Sequence, residues 1–182
     1  IEEEQTRLLI FPNQPNNAFR NILFIRKPDP RMETWEGKKL DKEKANEISG
    51  IDTIMYFESF DAILQEAMTI GKSVFLNSNE YPKYTNPVPY FDQRFAKELH
   101  ERFPQHQFQR LAPLLHQLRS VKSNEEIRIM RHAIDITEKA FRRVLRTIKP
   151  GRREYEVEAE ITYEFMMNES RHHAYRPIIA SG

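Results

Sequence analysis

Apolar residues return every three or four positions along the last third of the chain. Ile127, Met130, Ile134, Phe141, Val144 and Ile148 mark one stripe, and Thr137 fills its one polar slot. At 3.6 residues per turn, that spacing predicts a long helix with the stripe turned to a core. Ser123 and Glu126 stand ahead of it as a capping box, each side chain satisfying a free backbone N–H of the first turn. Lys149-Pro150-Gly151 ends the pattern, because the residue before proline avoids the helical region and glycine accepts a left-handed turn. A second helix is expected from about Glu154, with Val157, Ile161 and Phe165 on one face and Glu154, Glu156 and Glu158 near its positive end. Arg176 to Ala180 reads as a short strand.

The earlier part of the chain changes period. Arg7 to Phe11 and Ile22 to Ile25 are short apolar runs around a turn at Asn13 to Asn17, which predicts a hairpin. Lys27 to Lys39 is polar and proline-rich and reads as a loop holding Trp35. A short helix follows from Asp41 to Ile48, closed by Gly50. Thr53 to Phe57 is a strand. Ser59 is placed to cap a helix carrying Ile63, Leu64, Ala67 and Ile70, closed by Gly71, and Ser73 to Leu76 is another strand. Strand, helix and strand in this order suggest a parallel βαβ unit. Asn77 to Pro89, with two tyrosines, is a long loop of the kind that is functional or flexible. Phe91 to Phe103 is an amphipathic helix with Phe91, Phe95 and Leu99 on one face. Gln107 to Gln109 is a weak strand and Leu111 to Leu118 a short helix. The pattern turns polar at Arg119 to Lys122, so the expected domains are residues 1–119 and 120–182.

Charge and composition narrow the function. Twenty-eight basic and 27 acidic side chains leave a net charge of +1, which offers no electrostatic case for nucleic acid or an anionic membrane. Cysteine is absent, which excludes disulfides and thiolate metal sites in these residues and favours a cytoplasmic protein. No apolar run approaches the length of a membrane helix, and the five glycines form no phosphate-binding loop. His172 and His173 are adjacent, so on a strand they point to opposite faces and poorly share one ion. His100, His106, His116 and His132 have charged neighbours and read as solvated. Glu154, Glu156, Glu158 and Glu160 read as a solvated helix face. No Ser-His-Asp or Cys-His constellation is identifiable.

The ordered set Leu118-Arg119, Lys122-Ser123, Glu126-Ile127, Pro150-Gly151, Glu154-Tyr155, Phe165, Ala174-Tyr175, Ile178 and Ala180-Ser181-Gly182 resembles the start of the catalytic domain of Xaa-Pro aminopeptidases. That domain has the pita-bread fold shared with prolidase, creatinase and methionine aminopeptidase. The run Pro28-Asp29-Pro30-Arg31 to Trp35-Glu36-Gly37 resembles a loop of their N-terminal domain, although Pro28 separates Lys27 from the Asp. The resemblance implies an α/β chain: a creatinase/prolidase-type N-terminal domain with a mixed sheet and flanking helices, then the first helices and strand of an α+β pita-bread domain. It implies an aminopeptidase that removes the residue ahead of a proline in second position, using two divalent metal ions, in this family typically manganese. The family's metal ligands follow the Ala-Ser-Gly, so none is expected in residues 1–182, and the chain by itself is expected to be inactive. In the family a further βα segment precedes the residues matching Ile1. The implied partners are a peptide substrate and further copies of the chain, as a dimer or tetramer. Trp35 is the candidate substrate-binding residue, acting on a neighbouring subunit's site. Two alternatives remain at this point: a prolidase-type dipeptidase, and a non-catalytic pita-bread relative that binds peptides or acts as a chaperone.

Overall fold

The computed structural model describes residues 6–78, 80 and 87–180, without the side chain of Glu36. Ser181, Gly182 and the stretch of the 77–89 loop holding Tyr81 and Tyr84 lie outside the described residues. The chain divides into two compact units, residues 1–112 and 113–182.

The first unit is built around one strand. β1 (Arg7–Ile10) and β2 (Asn21–Ile25) form the expected hairpin, antiparallel with Leu8 opposite Leu23. The Phe11 N–H donates to the Arg20 carbonyl at 2.7 Å and closes its loop. β3 (Thr53–Tyr56) lies parallel to β2 on the other side, giving the order β1-β2-β3. α1 (Pro30–Glu36) and α2 (Lys42–Ser49) occupy the crossover between them. The Asp41 side chain caps α2 by accepting from the Lys44 N–H at 2.8 Å. Gly50 ends α2 at φ 67°, a left-handed conformation that suits a residue without a Cβ.

α3 (Phe60–Ile70), β4 (Ser73–Leu76), α4 (Phe91–Arg102) and β5 (Gln107–Arg110) complete the unit. β4 and β5 pair in parallel as a separate two-stranded sheet. This corrects the expected βαβ unit: β3 and β4 flank α3 but are not ladder neighbours. Parallel crossovers run instead from β2 to β3 and from β4 to β5. Alternation along the chain reveals which segments are strands; packing decides which of them meet. Ser59 precedes α3 as expected, yet its side chain makes no capping bond, because a tight turn at Phe57–Ser59 leads into the helix.

β2 is buried on both faces. Ile22 and Phe24 join Phe60, Leu64 and Met68 of α3, Leu99 of α4, and Phe103 in one cluster. Leu23 and Ile25 turn the other way, onto Ala45 of α2 and Ile54 of β3. Val74 and Leu76 of β4 and Phe108 of β5 pack against the first cluster.

α5 (Ala112–Ser120) starts at the division between the units. The second unit then holds α6 (Asn124–Thr147) and α7 (Glu154–Met167). The capping box forms as expected: the Glu126 N–H donates to Ser123 Oγ at 3.2 Å, and the Ser123 N–H donates to Glu126 Oε2 at 2.7 Å. The apolar stripe does not bury itself. Ile134 and Phe141 are 63% and 64% exposed, whereas Ile136 and Ala140, on the face that carries the contacts to α7, are 6% and 1% exposed. A helix with 3.6 residues per turn sets these two faces about a third of a turn apart, so packing on α7 leaves the stripe outside. The strand expected at residues 176–180 is not formed, since no described strand lies beside it to complete a ladder.

Candidate functional site

Trp35 belongs to α1, where a loop was expected. Asp29 caps this helix, its Oδ1 accepting from the Arg31 N–H at 3.0 Å, and Pro30 occupies the first turn. The Arg31 guanidinium folds back on the same carboxylate at 3.1 and 2.9 Å, and its hydrogen bonds hold the Asp29 pKa below the usual carboxylate value. The signal was present in the sequence: a capping Asp followed by Pro at the first helical position. Trp35 is 86% exposed, and Met32, one turn earlier on the same side, is exposed as well. The indole therefore stands out from its own unit and covers none of its core.

The acidic positions of α7 do not form one solvated face. Glu160 accepts from Arg143 Nε at 2.6 Å and from Arg152 Nη1 at 3.1 Å. These two bonds, Arg143 first, pull its pKa below the ordinary glutamate range. Glu164 lies 3.6 Å from Arg143 Nη1, and the Arg143 guanidinium lies 4.2 Å over the Tyr163 ring. Lys139 Nζ donates to Asn168 Oδ1 at 2.6 Å. A ladder of polar pairs thus ties α7 to α6 and offers no free acid–base pair.

Among the described residues, His100, His106 and His173 make specific side-chain contacts. His106 Nε2 reaches the Met68 carbonyl at 2.7 Å, with its ring edge-on to Phe103. His100 Nδ1 reaches the Ala96 carbonyl at 2.7 Å, and its ring stacks on Phe108. His106 is half-buried, which corrects its solvated reading, whereas His100 is exposed as expected. His173 contacts Thr162 Oγ1 at 3.1 Å and the Phe165 ring, while His172 is exposed. Sequence reasoning also passed over Arg7, whose guanidinium lies against four phenylalanine rings. Among the described residues, no three His, Asp or Glu side chains come together as a metal site. An open groove along α6, lined by Ala133, Ile134, Thr137, Glu138 and Phe141, carries no set of catalytic groups. No described helix is long and apolar enough to cross a membrane.

Residues 1–75 match the N-terminal domain of aminopeptidase P, and residues 128–182 match metallopeptidase family M24. The chain is similar to aminopeptidase P in both of these stretches. A Haemophilus influenzae Xaa-Pro aminopeptidase is 28% identical over 93% of this chain and 39% of its own length. An Escherichia coli Xaa-Pro aminopeptidase is 30% identical over all of this chain and 41% of its own length. A Pseudomonas aeruginosa aminopeptidase P structure superposes with a TM-score of 0.69 at 27% identity, covering 90% of this chain and 37% of that one. The chain thus spans about two fifths of the length of the curated relatives it matches. The two family matches follow one another here in the order the sequence led us to expect, and they carry α1 with Trp35 in the first and the α6–α7 hairpin in the second.

Proposed function

We propose that the full-length protein is a metal-dependent Xaa-Pro aminopeptidase that removes the N-terminal residue from peptides with proline in second position. One observation carries this reading: the N-terminal domain of aminopeptidase P and the start of an M24 metallopeptidase domain follow each other within one chain. Proteins named Xaa-Pro aminopeptidase align across at least 93% of it. M24 is a metallopeptidase family, and we assign two divalent ions, manganese, to the full-length enzyme. The described residues do not make a fitting metal site, so no catalytic step is traced through those ions. The absence of cysteine supports a reducing, cytoplasmic setting.

The proposal also covers the domain boundary at Arg119 to Lys122, assembly as a dimer or tetramer, and Trp35. An indole standing free on a capped helix supports contact with a surface outside its own unit, and tryptophan is a favoured anchor at such contacts. A flat ring would stack on a substrate proline and exclude water around it. The test assays the full-length protein on a Xaa-Pro tripeptide and a Xaa-Ala control, after chelation and after manganese is restored. Cleavage of the proline peptide alone, lost on chelation and recovered with manganese, is expected. Cleavage of Xaa-Pro dipeptides only would make it a prolidase-type enzyme. Trp35→Ala should keep folding stability within about 1 kcal/mol. It should lower kcat/KM at least about tenfold, or ~1.4 kcal/mol of transition-state binding. Unfolding of Trp35→Ala, with unchanged kinetics in the folded remainder, would make the tryptophan structural.

A further inference from the structure

We propose that Phe57, Phe60, Phe91 and Phe95 form a receptor for a guanidinium group, a cation site that Arg7 fills from within the same chain. The Arg7 Cζ lies 4.5, 4.2, 4.8 and 4.7 Å from the centroids of those four rings in that order. A cation within about 6 Å of one ring centroid is already attracted by the negative π face, and here four rings act on one group.

The rings are arranged as a site. Phe57 and Phe60 lie nearly parallel, 3° apart with centroids at 5.7 Å. Phe91 and Phe95 do the same at 7° and 6.1 Å. Phe60 and Phe95 join the two pairs at 5.9 Å. Spacing of three along the approach to α3 and of four along α4 turns each pair to one side of its helix. What holds Arg7 is the rings rather than a carboxylate fork, since its Nε is shut away from solvent and finds no acceptor. The nearby carboxylates make their own pair elsewhere: Arg102 Nη1 lies 2.8 Å from Glu98 and 3.4 Å from Asp61. Burial draws the Arg7 pKa down, while the charges of Asp61 and Glu98 push it back up, so the site keeps a cation inside it.

This chemistry selects its ligand. A guanidinium is flat, always charged and weakly hydrated, so it can lose water against aromatic faces where an ammonium holds its shell. Phe91 is 47% exposed, which leaves the outer wall of the site facing water. A free alkylguanidinium can reach the rings once the Arg7 side chain is cut back. The site ties β1, α3 and α4 together at one point.

The test is chemical rescue in the full-length protein. Arg7→Ala should lower the melting temperature. Methylguanidinium, from about 1 to 50 mM, should restore it along a saturable curve. At ten times its dissociation constant, the folded-to-unfolded ratio should rise about elevenfold. Equal concentrations of sodium chloride or urea should not reproduce the curve, and the unaltered protein, its site filled, should show no saturable gain. Phe91→Leu placed on the Arg7→Ala background should weaken the rescue several-fold. If Arg7→Ala does not fold alone, the yield on refolding with and without methylguanidinium gives the same reading. No saturable recovery in either form, or an equal recovery in the unaltered protein, would overturn the proposal.

Discussion

Ser123 and Glu126 satisfy each other's backbone N–H groups at the start of α6, next to the Glu125–Arg128 ion pair. Ser123→Ala should cost about 1 kcal/mol. Phe141, exposed on the outer stripe, should cost less than about 1 kcal/mol on truncation, not the ~3–5 kcal/mol of a buried phenylalanine. Urea denaturation of this 182-residue chain checks both values. A Phe141→Ala cost above 3 kcal/mol would mean that the stripe is covered. Glu169 makes a different case. It ends α7 at φ 66°, where its N–H reaches the Met166 carbonyl and the Ser170 N–H reaches the Phe165 carbonyl. That pairing is the helix-ending motif in which glycine is the usual left-handed residue. Glu169→Gly should therefore stabilise the chain by about 0.5–1 kcal/mol, the left-handed strain relieved less the entropy glycine adds to the unfolded state. Thermal melting of the two variants side by side measures it. Features like the capping box were legible because their partners sit three residues apart. The Arg7 site was not, because its parts come from three distant stretches of sequence.

α6 and α7 show what periodicity can and cannot deliver. The spacing of Ile127 to Ile148 placed α6 correctly along the chain and set its register, but it could not say which neighbour the stripe would meet. The contact to α7 uses Ile136, Ala140 and a row of charges instead. Glu160 is the acidic centre of that row. Its pKa lies below the ordinary value, so its bonds add stability above the normal glutamate range and lose it as the pH falls through the lowered pKa. The melting temperature of the hairpin should accordingly fall as the pH drops below about 4. Glu160→Gln should flatten that fall, as circular dichroism at a series of pH values would show. An unchanged acid slope in Glu160→Gln would assign the acid loss to other carboxylates. At the level of strand pairing, the β1–β2 hairpin was legible because a short turn forces adjacency. The β3-to-β4 pairing was misread because a helical connection does not.

Across the whole molecule, backbone pairing is uneven. Residues 176–180 take no regular secondary structure, while α6 is bonded along its length. Hydrogen exchange should be fastest at 176–180 and slowest around Ile136. Equal protection at the two places would show that a partner strand covers the former. The candidate site was legible in kind, as a lone tryptophan in a polar stretch, and illegible in form, since the helix under it depends on a local cap. β2 has one further consequence. Its odd and even residues feed two separate apolar clusters, one beneath α3 and α4 and one beneath α2. Neither helical layer can melt away without stripping the strand that the other rests on, so the first unit has no half-folded intermediate within reach and is lost, or kept, in a single step.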